Sequence, residues 1–121
     1  MTAGRPRRPR VLLGDLEPIA RLGMTRLLVE AGAEVLADDD EPAAIEDRAE
    51  RLTPDVVVLT LEPAGELGRR VREAAPAAKV ILWSRDETEM QVLDPGPAAP
   101  QRVLRAAPDA LLGELGDLAD L

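Results

Sequence analysis

Apolar and polar positions along the chain fall into short runs whose period changes repeatedly. Val11, Leu12 and Leu13 form a brief apolar run that ends at Gly14 and Asp15, as a buried strand does when it enters a loop. Pro18 then opens a helical pattern in which Ile19, Leu22, Gly23, Leu27, Leu28 and Ala31 recur at helical spacing, and Gly32 follows as a C-terminal cap. Residues 34–37 predict a second short strand. Pro42 starts a second helix with Ala44, Ile45, Ala49 and Leu52 on its apolar face. In the stretch PDVVVLTLEP, Val56, Val57, Val58, Leu59 and Leu61 surround Thr60 between two prolines, and a β-branched run bounded in this way predicts a strand buried on both faces. Leu67, Val71, Ala74 and Ala75 mark a third helix that stops before Pro76, and residues 79–83 predict a fourth strand ending at Ser84.

Strand and helix alternate through residue 84, which predicts βα units and a parallel, doubly wound sheet. Ligands of such sheets bind at the carboxyl ends of the strands, and Thr60 sits at one of them. The last third is less regular. DETEMQVL predicts the start of a helix that DPGPAAP, residues 94–100, must interrupt, and residues 101–107 resume it with Val103, Leu104 and Ala107 on one side. Two readings of APDALLGELGDLADL stay open. Residues 110–112 form a fifth strand followed by a truncated helix from Leu115, or residues 109–121 form one helix with Leu111, Leu115 and Leu118 on a face. Gly113 and Gly116 would each cost a helix interior about 0.8 to 1 kcal/mol, which favours the strand.

Composition narrows the chemistry. At 121 residues and 45% apolar content the chain supports one globular core, which must be aliphatic because Trp83 is the only aromatic residue. Without cysteine or histidine there are no disulfides, thiolate nucleophiles, imidazole bases or His ligands. No apolar run approaches the roughly 18 residues of a membrane span, and the N-terminus lacks the apolar segment of a signal peptide, so a cytoplasmic protein without membrane contact is expected. The net charge is −8; Arg5, Arg7, Arg8 and Arg10 lie in the first ten residues, which leaves −12 on the remaining 111. A body that acidic repels phosphate backbones, so no direct nucleic-acid binding is expected, and residues 1–9 read as a solvated basic tail. The run Asp38, Asp39, Asp40, Glu41 could offer oxygen ligands to a divalent cation. Helix capping accounts for it better, because consecutive carboxylates would have to fold back to converge.

RVLLGDLEPIARLGMTRLLVEAGAEV, residues 10–35, resembles the first strand, first helix and second strand of the response-regulator receiver domain, in particular the receivers that precede helix-turn-helix output domains of bacterial transcription regulators. RLTPDVVVLTL and APAAKVILWS resemble the third and fourth strands of that family. The resemblance implies one receiver-like domain over residues 10–121: an α/β, flavodoxin-like, five-stranded parallel sheet flanked by helices, with a degenerate fourth helix and a truncated fifth. It also places the family's phosphoryl-accepting aspartate at Thr60, its acidic pair at Asp15 and Leu16, and its hydroxyl residue at Ser84. The family's lysine would fall near Gly113, and the single lysine, Lys79, lies at the other end of the fourth strand. The aromatic switch residue has no counterpart, since the chain holds no Phe, Tyr or His.

These departures imply a vestigial phosphorylation pocket at Asp15, Leu16, Thr60 and Ser84. One matched carboxylate holds Mg²⁺ poorly, and a threonine hydroxyl needs a general base before it can attack phosphorus. Glu17 and Glu62 are the nearby acids that could stand in, but the loop LEPAGEL after Thr60 is shortened. Replacing clustered acids also relieves like-charge repulsion. The expectation is therefore a non-enzymatic regulatory module, without cofactor or metal, that contacts a protein partner or dimerises. The resemblance assigns that contact to the last helices and final strand, here Val103, Leu104, Leu115, Leu118 and Leu121; the same leucines could equally cover the sheet. Two alternatives remain: a small-molecule sensor built on the emptied pocket, and the regulatory fragment of a transcription regulator.

Overall fold

The computed structural model describes residues 8–38, 41–61, 66–96 and 101–119. Ten elements follow one another: β1 (Arg10–Leu13), α1 (Pro18–Glu30), β2 (Glu34–Asp38), α2 (Pro42–Leu52), β3 (Val56–Thr60), α3 (Glu66–Ala74), β4 (Lys79–Trp83), β5 (Glu89–Leu93), β6 (Gln101–Arg105) and α4 (Pro108–Ala119). The strands make one α/β sheet of order β2-β1-β3-β4-β5-β6, mostly parallel. β1 pairs in parallel with β2 and β3, and β3 with β4. This parallel part is compatible with a flavodoxin-like fold.

Helices cover both faces. On one, α1 and α4 pack through Met24, Leu28, Leu111 and Leu115 onto Val11, Leu13, Val56, Val58, Ile81 and Trp83. On the other, α2 and α3 pack through Ile45, Ala49 and Val71 onto Leu12, Val57, Leu59, Val80 and Leu82. Alternate residues of β3 thus feed opposite cores, which is why all five of its positions are buried and why its sequence carries no polar alternation. Gly14 fits where β1 leaves the sheet because a Cβ there would stand 2.3 Å from Leu59 Cδ2.

Past Trp83 the architecture departs from the expectation of five parallel strands, a degenerate fourth helix and a truncated fifth. β4 turns straight back into β5, which is antiparallel to it, and β6 is antiparallel to β5, giving six strands. The turn holds itself: Asp86 Oδ1 accepts from the Thr88 hydroxyl at 2.7 Å and from the Ser84 hydroxyl at 2.8 Å, and Glu87 takes the left-handed conformation at φ 59°. Glu89, Met90, Gln91, Val92 and Leu93 alternate half-buried and buried, a period of two in which Met90 and Val92 enter the core, so this segment is strand and not helix. The same period governs β6, where Val103 and Leu104 stand on opposite faces. Asp94, Pro95 and Gly96 begin the connection between these two strands, and the rest of that loop lies outside the described residues.

Residues 110–112 are not a fifth strand: Pro108 opens one helix through Ala119. Gly113 and Gly116 lie exposed, while Leu111 and Leu115 are buried one turn apart. Burying two leucines at about 1.5 to 3 kcal/mol each outweighs two glycine penalties of about 1 kcal/mol each. The basic tail through residue 7, Asp39 and Asp40 of the acidic run, Glu62 and Leu121 lie outside the described residues.

Candidate functional site

β1 runs out to β2 on one side and pairs with β3 on the other, so the carboxyl ends of β1 and β3 flank the crevice where open α/β sheets bind their ligands. A pair of hydrogen bonds spans this crevice. The backbone N–H of Thr60 donates to Asp15 Oδ1 at 2.9 Å, and the Thr60 hydroxyl donates to the Asp15 carbonyl at 2.7 Å. Gly14 N–H adds a third tie, to the Val58 carbonyl at 2.9 Å. Asp15 and Thr60 are therefore brought together as the sequence anticipates, but each is engaged in closing the loop after β1 onto the end of β3.

The other two members of the anticipated pocket sit beside them in different roles. Leu16 is buried and belongs to the core under α1. Ser84 caps the β4–β5 turn: its hydroxyl donates to Asp86 Oδ1 and accepts from the N–H groups of Thr88 at 3.1 Å and Glu89 at 3.0 Å. Hydrogen bonds from Thr88 first, then Ser84, hold the Asp86 carboxyl below its ordinary range. These residues do not fit a Mg²⁺ ion: Asp15 offers a single carboxylate, whose Oδ1 already accepts a backbone N–H, and its sequence neighbour is an aliphatic side chain. Among the described residues no group of three or more acidic, His or Cys side chains could hold a metal.

A cavity of about 470 Å³ opens directly above this crevice. Thr60 and Trp83, neighbours across β3 and β4, form its base, and Ile19, Ala20, Gly23, Met24 and Leu27 of α1 form one wall. Pro108 and Leu111 at the start of α4 close the opposite side, with Glu17, Arg85 and Glu87 at the rim. Arg85 Nη1 meets Glu17 Oε1 at 2.9 Å across the mouth. Trp83 is 8% exposed, and its indole Nε1 is a buried nitrogen without a hydrogen-bond partner among the described residues. The sequence signals only part of this: Trp83 is legible as an aromatic residue next to Ser84, but the contribution of α4 depends on a helix start that only the less favoured C-terminal alternative, one helix over residues 109–121, anticipates.

Two of the anticipated C-terminal contact residues serve the core. Leu115 is a core residue at 5% exposure, and Leu104 is half-buried against the same core. Val103 is exposed on the edge strand β6. The Leu118 side chain and Leu121 lie outside the described residues. The large exposed apolar side chains lie mainly on α1 instead, where Ile19 is 87% and Leu22 71% exposed and Val29 follows further along. The periodicity assigns Ile19, Leu22 and Leu28 to the buried face; Leu28 is buried there, but its companion is Met24.

Lys79 begins β4, at the far end from the cavity, and is buried in a charged cluster. Its Nζ donates to Glu114 Oε1 at 2.9 Å and to the Glu114 carbonyl at 3.2 Å. Arg102 bridges Glu114 and Asp94, reaching Glu114 Oε1 at 2.6 Å and Asp94 Oδ2 at 2.8 Å. The hydrogen bonds from Arg102 hold the Glu114 carboxyl below its ordinary value against the opposing effect of burial.

Comparison with protein-family models gives no match to this chain, and neither does comparison with curated proteins. Among the described residues no helix is long and apolar enough to cross a membrane.

Proposed function

We propose that this chain is a non-catalytic regulatory module of receiver-like build, which works by contact with a protein partner or a second copy of itself and takes no phosphoryl group. The observation that carries this reading is the double hydrogen bond between Thr60 and Asp15. At the strand end where a receiver presents a free carboxylate nucleophile, this protein has a hydroxyl that already donates to a backbone carbonyl. Its neighbouring acid already accepts from a backbone N–H. A nucleophile must be free to lose its proton to a base, and neither condition is supported here. The parallel strands β1 to β4 are the part that supports the receiver reading, and the antiparallel β5–β6 pair replaces the helix-and-strand unit a receiver would place next.

The contact surface is assigned to the exposed apolar residues of α1, Ile19, Leu22 and Val29, in place of the C-terminal leucines. Intact-mass measurement and analytical sedimentation, each with and without acetyl phosphate and Mg²⁺, test the proposal together. The expected result is an unmodified chain that self-associates at high micromolar concentration regardless of treatment. A phosphoryl adduct on Asp15 or Thr60, or a chain that stays monomeric and whose α1 residues affect no partner capture, overturns it.

A further inference from the structure

The open edge of the sheet at β6 is a feature that the proposed function does not use. β6 ends the strand order, so among the described residues no strand lies on its outer side. Which groups face that side follows from the ladder on the other: the Ala106 N–H donates to the Thr88 carbonyl at 3.1 Å, and bonded positions alternate along an antiparallel pair. Arg102 and Leu104 therefore turn their backbone groups toward β5, and Gln101, Val103 and Arg105 turn theirs outward. The β4–β5 pair gives the same parity, since the Ser84 N–H donates to the Glu89 carbonyl at 3.0 Å and so leaves Met90 and Val92, the partners of Leu104 and Arg102, to bond with β6. Sheet edges are usually blunted by proline, lysine or a bulge. β6 has no proline or lysine and pairs with β5 without a break, whereas the opposite edge, β2, meets β1 through a register shift between Val11 and Leu12. Val103, 58% exposed, stands at the middle of the unprotected edge.

The side chains specify what pairs there. When two β6 strands lie antiparallel about a twofold axis through Val103, the two valines oppose each other and Gln101 of each copy opposes Arg105 of the other. All of these positions face outward, so each pair exchanges two backbone hydrogen bonds. No like charges stand opposite, and Glu89 lies beside Arg105 across the ladder of its own chain. On the α4 face Arg102, already held by Glu114 and Asp94, opposes Leu104. Other registers fit worse: an axis through Arg105 would set two guanidinium groups face to face, and one through Leu104 would set Arg105 against Val103. We infer that β6 pairs with β6 of a second copy of this chain, antiparallel and centred on Val103, so that the two sheets join into one. The inference rests on the proposed function only in that the module works through contacts, and it gives them separate surfaces: β6 takes the second copy, and Ile19, Leu22 and Val29 of α1 are left for a different protein.

The test is sedimentation of the full chain from low to high micromolar concentration, with residue-resolved amide hydrogen exchange at both ends of the range. The expected result is a monomer in equilibrium with a dimer, in which the N–H groups of Gln101, Val103 and Arg105 gain protection as the dimer forms while those of Arg102 and Leu104 are protected throughout. Val103→Pro removes an outward donor and spares the β5 ladder, so it should weaken the dimer about tenfold or more with an unchanged circular dichroism spectrum. Gln101 is exposed, and charge there reads the register even if the proline variant fails to fold. Gln101→Glu sets a carboxylate against Arg105 of the second copy and should tighten the dimer roughly twofold to tenfold, and Gln101→Arg should loosen it by a similar factor. A chain that stays monomeric at high micromolar concentration, the opposite order of the two Gln101 variants, or dimerisation without added protection at Val103 overturns the inference. So does a dimer that Ile19→Ser combined with Leu22→Ser abolishes and Val103→Pro leaves untouched, a result that would keep the proposed function intact. A phosphoryl adduct in the acetyl phosphate experiment would strike the proposed function alone, because pairing at β6 is read without phosphate or magnesium.

Discussion

Glu114 and Lys79 are both buried and bonded to each other, yet removing them should have unequal consequences. In Glu114→Gln the Lys79 ammonium, with a side chain only 6% exposed, keeps the carbonyl of residue 114 but loses the carboxylate at 2.9 Å, and its remaining anion is Asp94 at 3.8 Å. Arg102 loses one of its two carboxylate partners at the same time. Breaking a buried ion pair so that a charge stays behind costs about 3 to 5 kcal/mol, and the residual Asp94 contact places this case near the lower end, about 3 kcal/mol. In Lys79→Met the buried cation itself is removed, an apolar chain of similar length takes its place, and Glu114 keeps both bonds from Arg102. That change should cost about 1 to 2 kcal/mol. Unfolding entropy of about 2.1 cal/mol/K per residue gives a shift near 4 °C per kcal/mol for a chain of this length, so Tm should fall by about 12 °C in the first variant and about 4 to 8 °C in the second. Urea titration followed by Trp83 fluorescence measures both, since this buried indole sits in the core that α4 covers. The double variant should cost less than the sum of the singles, because the two groups share one interaction. A Lys79→Met variant as damaging as Glu114→Gln, or a Glu114→Gln variant within 1 kcal/mol of the unmodified chain, refutes the reasoning.

Acid titration should expose the same cluster. A carboxyl held below its ordinary value of 4.5 binds its proton less readily folded than unfolded, so its stabilising effect is complete above about pH 5.5 and is lost as pH falls through the lowered folded value. Urea midpoints should therefore decline below about pH 4.5, less steeply in Glu114→Gln; equal slopes would count against the assignment. Thr60→Val keeps the buried β-branched shape but leaves the Asp15 carbonyl without its 2.7 Å donor, which should cost about 1 to 2 kcal/mol by urea unfolding; no loss would mean that the hydroxyl is not structural. Gly14→Ala forces a Cβ against Leu59 and toward the Val58 carbonyl and should lower stability by about 1 to 3 kcal/mol, whereas Gly23→Ala, in open space within a helix, should raise it by up to about 1 kcal/mol; thermal unfolding of the pair in the opposite order would contradict the packing described.

Local sequence carries the first two-thirds of the fold because its signals are local. The five-residue run Val56 to Thr60, the proline that opens α1 and the glycine that ends it each act through backbone sterics or through burial that any neighbour can supply. The proximity of Asp15, Thr60 and Ser84 follows from strand ends in a parallel sheet and was legible for the same reason. The alternation in Glu89 to Leu93 and Gln101 to Arg105 was present in the sequence as well. An expected βα unit masked it, and the choice between helix and hairpin fell to the turn at Ser84, Asp86 and Thr88.

What the chain alone determined was the period of each segment, the near absence of aromatic and nucleophilic chemistry, and the places where strands must stop. Tertiary structure decided the rest. Leu111 and Leu115 find the sheet to bury against and so make a glycine-bearing segment worth folding as a helix, on which Glu114 meets Lys79 across 35 residues. α2 and α3 leave Ile19 and Leu22 unburied because they pack on the opposite face from α1, and the start of α4 completes a cavity around Trp83. Each of these outcomes depends on which distant group arrives to satisfy a charge, a donor or an apolar surface, and no local spacing encodes that arrival.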